Sequence, residues 1–172
     1  MFALQENSIL AEFVTLYVDP GRFWFGAFRN FNICVWHTHA TMEDVARIDA
    51  TNPARTAAHP EKITTVHIIH ETVLAPEPAV RDRFNAMHAR WGHTVGCAAI
   101  IIEQHGFMGV AMRAAIAGMS MLTPKHYRIR VFDAVTSAAP WIAEHHGRST
   151  GVVIDADDMS DVLIHARLLG EG

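Results

Sequence analysis

Only two cysteines, Cys34 and Cys97, occur in the 172 residues, and both lie inside apolar runs. Two thiols cannot build a disulfide framework, so the expectation is buried, reduced side chains in a cytoplasmic protein. Basic residues are scarce as well: 14 Lys and Arg stand against 18 Asp and Glu, a formal net charge of -4. That balance argues against a general nucleic-acid binder, which needs a basic face to displace counterions from phosphates. No stretch reaches the roughly 18 uninterrupted apolar residues of a spanning helix. The most apolar run, Val95 to Ile102, is far too short. The opening residues, MFALQENSIL, hold no Lys or Arg and an early Glu6, unlike the charged start of a secretory signal. Internal repeats, low-complexity tracts and Ser/Gly linkers are missing too. What remains is 50% apolar and 19% charged, enough for a domain that buries its core without disulfide or metal staples.

Phe13 to Val18 is rich in β-branched and aromatic residues and runs into Asp19-Pro20-Gly21. There Pro presets a turn φ and Gly accepts a positive one. Phe23 to Phe28 and Phe31 to Trp36 resume strand composition around Arg29-Asn30, so this part reads as an antiparallel hairpin or meander. The period changes at Thr41-Met42-Glu43-Asp44, close to a capping box, and Met42, Val45 and Ile48 carry the helical stripe that follows. Asn52-Pro53 is expected to end that helix and cap a second short one to about Ala58. Ile63 to His70 is the next strand. Glu77 to Trp91 is an amphipathic helix through Val80, Phe84, Met87 and Trp91, closed by a left-handed Gly92. Val95 to Ile102 reads as a central strand buried on both faces. Gly109 to Leu122 is a helix apolar nearly all round, Tyr127 to Phe132 a half-exposed strand, and Ala134 to Glu144 a helix anchored by Trp141 and Ile142. In the tail, Gly151 to Ile154 is strand-like and Asp158 is placed to cap a helix from Met159 to Leu169.

Helix-length connections between strands imply right-handed parallel crossovers. The expected architecture is therefore α/β: a mixed sheet of about five strands with crossover helices over residues 1–147, and a C-terminal strand–helix extension over 148–172. This order, two leading strands and then four alternations, resembles the anti-sigma-factor-antagonist (STAS) fold. It is similar in particular to the divergent bacterial branch grouped with CRAL-TRIO lipid-binding domains. The resemblance covers residues 11 to 146 and is closest over VGCAAIIIEQHGFMGVAMRAAIAGMSML and YRIRVFDAVTSAAPWI. It lies in element order, not in a motif. What it implies is a non-enzymatic role, with regulatory kinases and sigma-factor antagonists as partners and nucleotides or lipids bound by some members. In phospho-switched members a Ser or Thr starts the helix after the third strand. The matching stretch here is His70-Glu71-Thr72-Val73, where Thr72 is the only hydroxyl and the Asp-Ser pattern is absent.

Twelve histidines raise the question of a metal. His37 and His39 lie two apart and would share a strand face, and His70 could join them from the neighbouring strand. Zinc needs three or four converging ligands with further support, and ordinary polar residues at strand ends explain the same spacing. Asp155, Asp157, Asp158 and Asp161 do not make an EF-hand loop, because the positions for its Gly and closing Glu hold Ser160 and Ala166. No nucleophile elbow, phosphate loop or dinucleotide glycine pattern is present, so neither catalysis nor a cofactor has positive support.

Met108, Met112, Met119 and Met121 lie on or beside the all-apolar helix, and such flexible, polarizable side chains suit adaptable contacts. A helix apolar all round needs cover on every side. The tail stripe of Val162, Leu163, Ala166 and Leu169 needs cover too. These residues are expected at a subunit or partner interface, or along the wall of an apolar ligand pocket, with core packing as the plain alternative. The leading functional expectation is a cytoplasmic regulatory or scaffold domain that works by protein–protein contact as a homo-oligomer. A carrier of a small apolar or lipid-like molecule is the alternative, and a metal-dependent enzyme using His37, His39 and His70 the third.

Overall fold

The β-branched and aromatic runs pair in the order in which they occur along the chain. The computed structural model describes residues 11–70, 73, 75–122 and 127–171, without the side chains of residues 115 and 117–122. The strands β1 (Phe13–Asp19), β2 (Phe23–Phe28), β3 (Phe31–Trp36), β4 (Ile63–Ile69), β5 (Val95–Ile102) and β6 (Arg128–Phe132) make one six-stranded sheet in sequential order. β1–β2 and β2–β3 are antiparallel, while β3–β4, β4–β5 and β5–β6 are parallel. The α/β mixed sheet is as expected, with six strands because all three N-terminal runs join it. The connections carry α1 (Met42–Ala58), α2 (Pro78–Trp91) and α3 (Gly106–Leu122), and α4 (Val135–Thr150) and α5 (Ala156–Gly170) follow the last strand. Among the described residues no helix is long and apolar enough to cross a membrane.

Strand alternation sorts the core into two layers. Phe23, Phe25, Cys34 and Trp36 pack with Val45 and Ile48 of α1 and Val80 and Met87 of α2. The opposite face presents Trp24, Ile33, Val35, Val66, Ile68, Ala99 and Ile101 to Ala138 and Ile142 of α4 and to Met159, Val162 and Leu163 of α5. Trp24 lies flat along its strand because residue 26 has no side chain. A Cβ on Gly26 would stand 2.2 Å from the indole Cη2. The indole reaches β1 instead, where its N–H donates to Thr15 Oγ1 at 3.2 Å.

Local boundaries differ from the sequence expectation at several points. The capping box forms, with the Asp44 N–H donating to Thr41 Oγ1 and the Thr41 N–H to Asp44 Oδ2. However, α1 runs on through Pro53 to Ala58. One lost backbone bond costs less than a broken helix whose Arg55 is anchored in the chain below it. Gly92 is right-handed and opens a 3-10 turn over Gly92–Thr94. α3 begins at Gly106, three residues early, and α4 runs to Thr150, which places His145 and His146 inside the helix. Gly151 then takes φ 76°, the left-handed stop. Residues 152–155 join no strand ladder but lead into α5. Asp155, not Asp158, caps α5, accepting from the Asp158 N–H at 2.8 Å.

Candidate functional site

Central strands covered on both faces are ordinarily continuous runs of Val, Ile and Leu. Here β3 and β4 break that rule on the face beneath α1 and α2. Asn32 is the register partner of Thr65, and Cys34 the partner of His67, so four polar or polarizable side chains form a two-by-two patch on the sheet. Phe25, Ile48, Met87 and Trp91 wall it, and Asn52, His88 and Val95 complete the lining of a cleft with an interior of about 30 Å3. That is room for one or two water molecules.

The hydrogen bonds around the patch fix the orientation of its groups. Trp36 Nε1 donates to His67 Nδ1 at 3.1 Å. An indole N–H can only donate, so His67 Nδ1 is the acceptor and its Nε2 carries the hydrogen. Burial, with His88 nearby, holds the His67 imidazole down to about 4 from the usual 6.5, so it is neutral at pH 7. Arg55 Nε donates to Asn32 Oδ1 at 2.8 Å, which assigns the amide oxygen to that side and leaves the Nδ2 hydrogens over. Thr65 Oγ1 is buried without a hydrogen-bond partner. On the wall, Trp91 Nε1 donates to the buried Asp49 carboxylate at 2.8 Å, and Arg90 reaches the same carboxylate at 3.0 Å. His88 Nδ1 lies 2.8 Å from the hydroxyl of Tyr127, whose own ionisation is pushed up by burial.

A second polar group is sealed under α4. His146 is fully buried, stacked on Phe31 with ring centroids 4.1 Å apart. Its Nδ1 is 2.8 Å from Thr64 Oγ1, which in turn sits 3.4 Å from Cys97 Sγ. Burial brings this imidazole down to about 4, against an opposing pull from Glu61. Burial pushes both thiols, Cys34 and Cys97, up. They are protonated at neutral pH and lack the electropositive setting of a reactive cysteine.

His37 and His70, at the carboxyl ends of β3 and β4, do come together, with ring centroids 5.3 Å apart. His39 lies beyond the end of β3 and is exposed, because the chain bends after Trp36 instead of continuing the strand. Among the described residues no three His, Cys, Asp or Glu side chains are placed to hold a metal ion. Thr72 lies outside the described residues. Met108 is exposed and Met112 half-buried, while the side chains of Met119 and Met121 lie outside the described set. Val162 and Leu163 are fully buried against this chain's own sheet, and Leu169 packs against the same cluster. The tail stripe is therefore core, because the face above β2 and β3 needed a cover and α5 supplies it.

Among the described residues, apolar side chains stay open along β1, at Val14, Leu16 and Val18, at Val153, and most fully in the cluster at the start of α3. Phe107 is 84% exposed, and Met108 and Val110 are each 58% exposed. Asn32, Thr65 and His67 belong to no sequence motif that marks a site. The available signal was a polar residue on alternate positions of FNICVW and ITTVHII, strands that must lie mid-sheet. The chain matches no protein-family model, no curated protein and no solved structure.

Proposed function

We propose that this chain is a non-catalytic regulatory or scaffold domain of the STAS type, acting in the cytoplasm by protein–protein contact and associating with itself. The observation that carries this reading is the bare apolar opening of α3, where Phe107, Met108 and Val110 stand in water within two turns of helix. Contiguous exposed apolar surface of this kind marks interaction sites on soluble proteins, and covering it releases about 25 cal/mol for each Å2 removed from water. Met112, half-buried on the same helix, extends the patch with a side chain that adapts to a partner's contour.

Native mass spectrometry and sedimentation velocity of the purified chain test the proposal. A dimer or larger assembly that dissociates in the double variant Phe107→Glu/Val110→Glu, with an unchanged circular dichroism spectrum, is the expected result. A wild-type chain that stays monomeric up to roughly 100 μM overturns self-association. An assembly indifferent to both substitutions removes α3 from the interface.

A further inference from the structure

The cleft beneath α1 and α2 presents hydrogen-bonding groups whose directions are already decided, and one of them, Thr65 Oγ1, is buried without a partner. His67 offers Nε2–H, since Nδ1 is taken by Trp36. Asn32 offers Nδ2–H, since Oδ1 is taken by Arg55. Thr65 Oγ1 is buried, unpaired, and able either to accept or to donate. Asn32 and Thr65 are direct register partners, and His67 lies two residues along the same face, a separation of about 7 Å in a strand. All three line one cleft with apolar walls, the pattern of a small-molecule site: mostly hydrophobic, with a few convergent polar groups.

We propose that this cleft binds a small uncharged amide. Its carbonyl oxygen would accept from His67 Nε2 and Asn32 Nδ2, and its N–H would donate to Thr65 Oγ1. The interior of about 30 Å3 admits the amide head only, so the apolar body lies in the mouth between Ile48 of α1 and Met87 and Trp91 of α2. Charge selects against a carboxylate. The guanidinium of Arg55 is spent on Asn32 Oδ1 and on the carbonyls of Arg29 and Phe31, and those of Arg83 and Arg90 are spent on the Asp49 carboxylate beside Trp91. An anion would thus be desolvated while the Arg55, Arg83 and Arg90 guanidinium groups described around the cleft are already paired. A hydrocarbon would leave the Thr65 hydroxyl unpaired and would strip water from the His67 and Asn32 N–H groups without replacing it, which is costly in the same way. The site is separate from the opening of α3, so the two proposals stand or fall independently.

The test titrates the full chain with benzamide, followed by 1H–15N chemical-shift mapping, with benzoate and toluene as comparators. Saturable benzamide shifts at Asn32, Thr65, His67 and the Trp36 and Trp91 indole N–H groups are expected. Benzoate and toluene should bind at least about tenfold more weakly. Thr65→Val keeps the shape and removes the hydroxyl, and should weaken benzamide roughly fivefold. Absence of a saturable shift up to roughly 10 mM benzamide overturns the proposal and leaves the cleft to water. Equal binding of benzoate or toluene overturns it as well, and that comparison needs only the wild-type chain, so it decides the ligand class even where the variant fails to fold. Unchanged affinity in a folded Thr65→Val chain removes the assigned pose.

Discussion

The Trp36 indole donates its hydrogen to His67 Nδ1 across 3.1 Å, and this single bond settles which nitrogen of a buried imidazole is protonated. Trp36 is itself held in place by a stack on Phe23, with ring centroids 4.1 Å apart, and Phe84 stands edge-on to both Trp36 and His67. Trp36→Phe preserves most of this packing and deletes the donor. The variant should lose about 1–2 kcal/mol in urea unfolding, the cost of a buried acceptor left unpaired. The 15N shifts of His67, which mark one protonated Nε2 in the parent chain, should move toward a mixture of tautomers.

Acid should destabilise the fold in a defined window. Burial holds His67 and His146 down to about 4 from 6.5. As pH falls below 6.5 the unfolded chain takes up protons at both positions while the folded chain does not, so the unfolded state gains and stability drops. Above 6.5 both states are neutral and this contribution is constant. A shift of that size corresponds to about 3 kcal/mol per histidine at the acid limit. Urea midpoints compared between pH 7.5, about a unit above the window, and pH 4.5, just inside its lower edge, should show most of the loss. His146→Phe, which keeps the stack on Phe31, should roughly halve it.

Gly26→Ala places a methyl where the Trp24 indole lies, 2.2 Å from Cη2 and 3.0 Å from the Val14 carbonyl oxygen. The indole has to leave the strand surface and give up its bond to Thr15. A loss of about 1–3 kcal/mol is expected from such overpacking, with a changed near-ultraviolet dichroism from the displaced tryptophan. An unaltered spectrum and stability would mean that the indole does not rest on this glycine.

Removal of α5 should not yield a trimmed but stable domain. Met159, Val162, Leu163 and Ala166 are fully buried against the sheet. Leu163→Ala should cost about 2–5 kcal/mol as a buried large-to-small change. Truncation after Gly151 should expose the apolar face of β2 and β3 and give a chain that binds a hydrophobic dye and unfolds without cooperativity.

The strands were legible because their composition changes sharply at Asp19-Pro20-Gly21, at Arg29-Asn30 and at Thr41, and because helix and strand periods differ. Several helix ends were not. Pro53 carries a strong local stop signal, yet α1 runs through it with Arg55 anchored beneath, whereas α2 does end at Trp91 as read, with Gly92 right-handed instead of left-handed. The tail stripe announced a need for burial without naming the surface, since only the assembled sheet shows which face α4 leaves uncovered. The cleft was hidden for a related reason. A polar residue at every second position of a strand reads equally as a wet face, and only the placement of α1 and α2 over Asn32, Thr65 and His67 turns that face into the floor of a groove.

Strands that are neighbours in the sheet are also neighbours in the chain, which has a consequence in time. As the polypeptide leaves the ribosome, each new strand finds the edge of its predecessor already present, and no pairing has to wait for a distant segment. The two faces then mature on different schedules. The cluster of Phe23, Phe25, Cys34 and Trp36 with α1 and α2 has all its residues once Trp91 has emerged, whereas the aromatic face of β2 and β3 stays uncovered until the final helix, Ala156–Gly170, arrives to close it. The interval between those events is when the nascent chain depends most on whatever shields apolar surface in the cell.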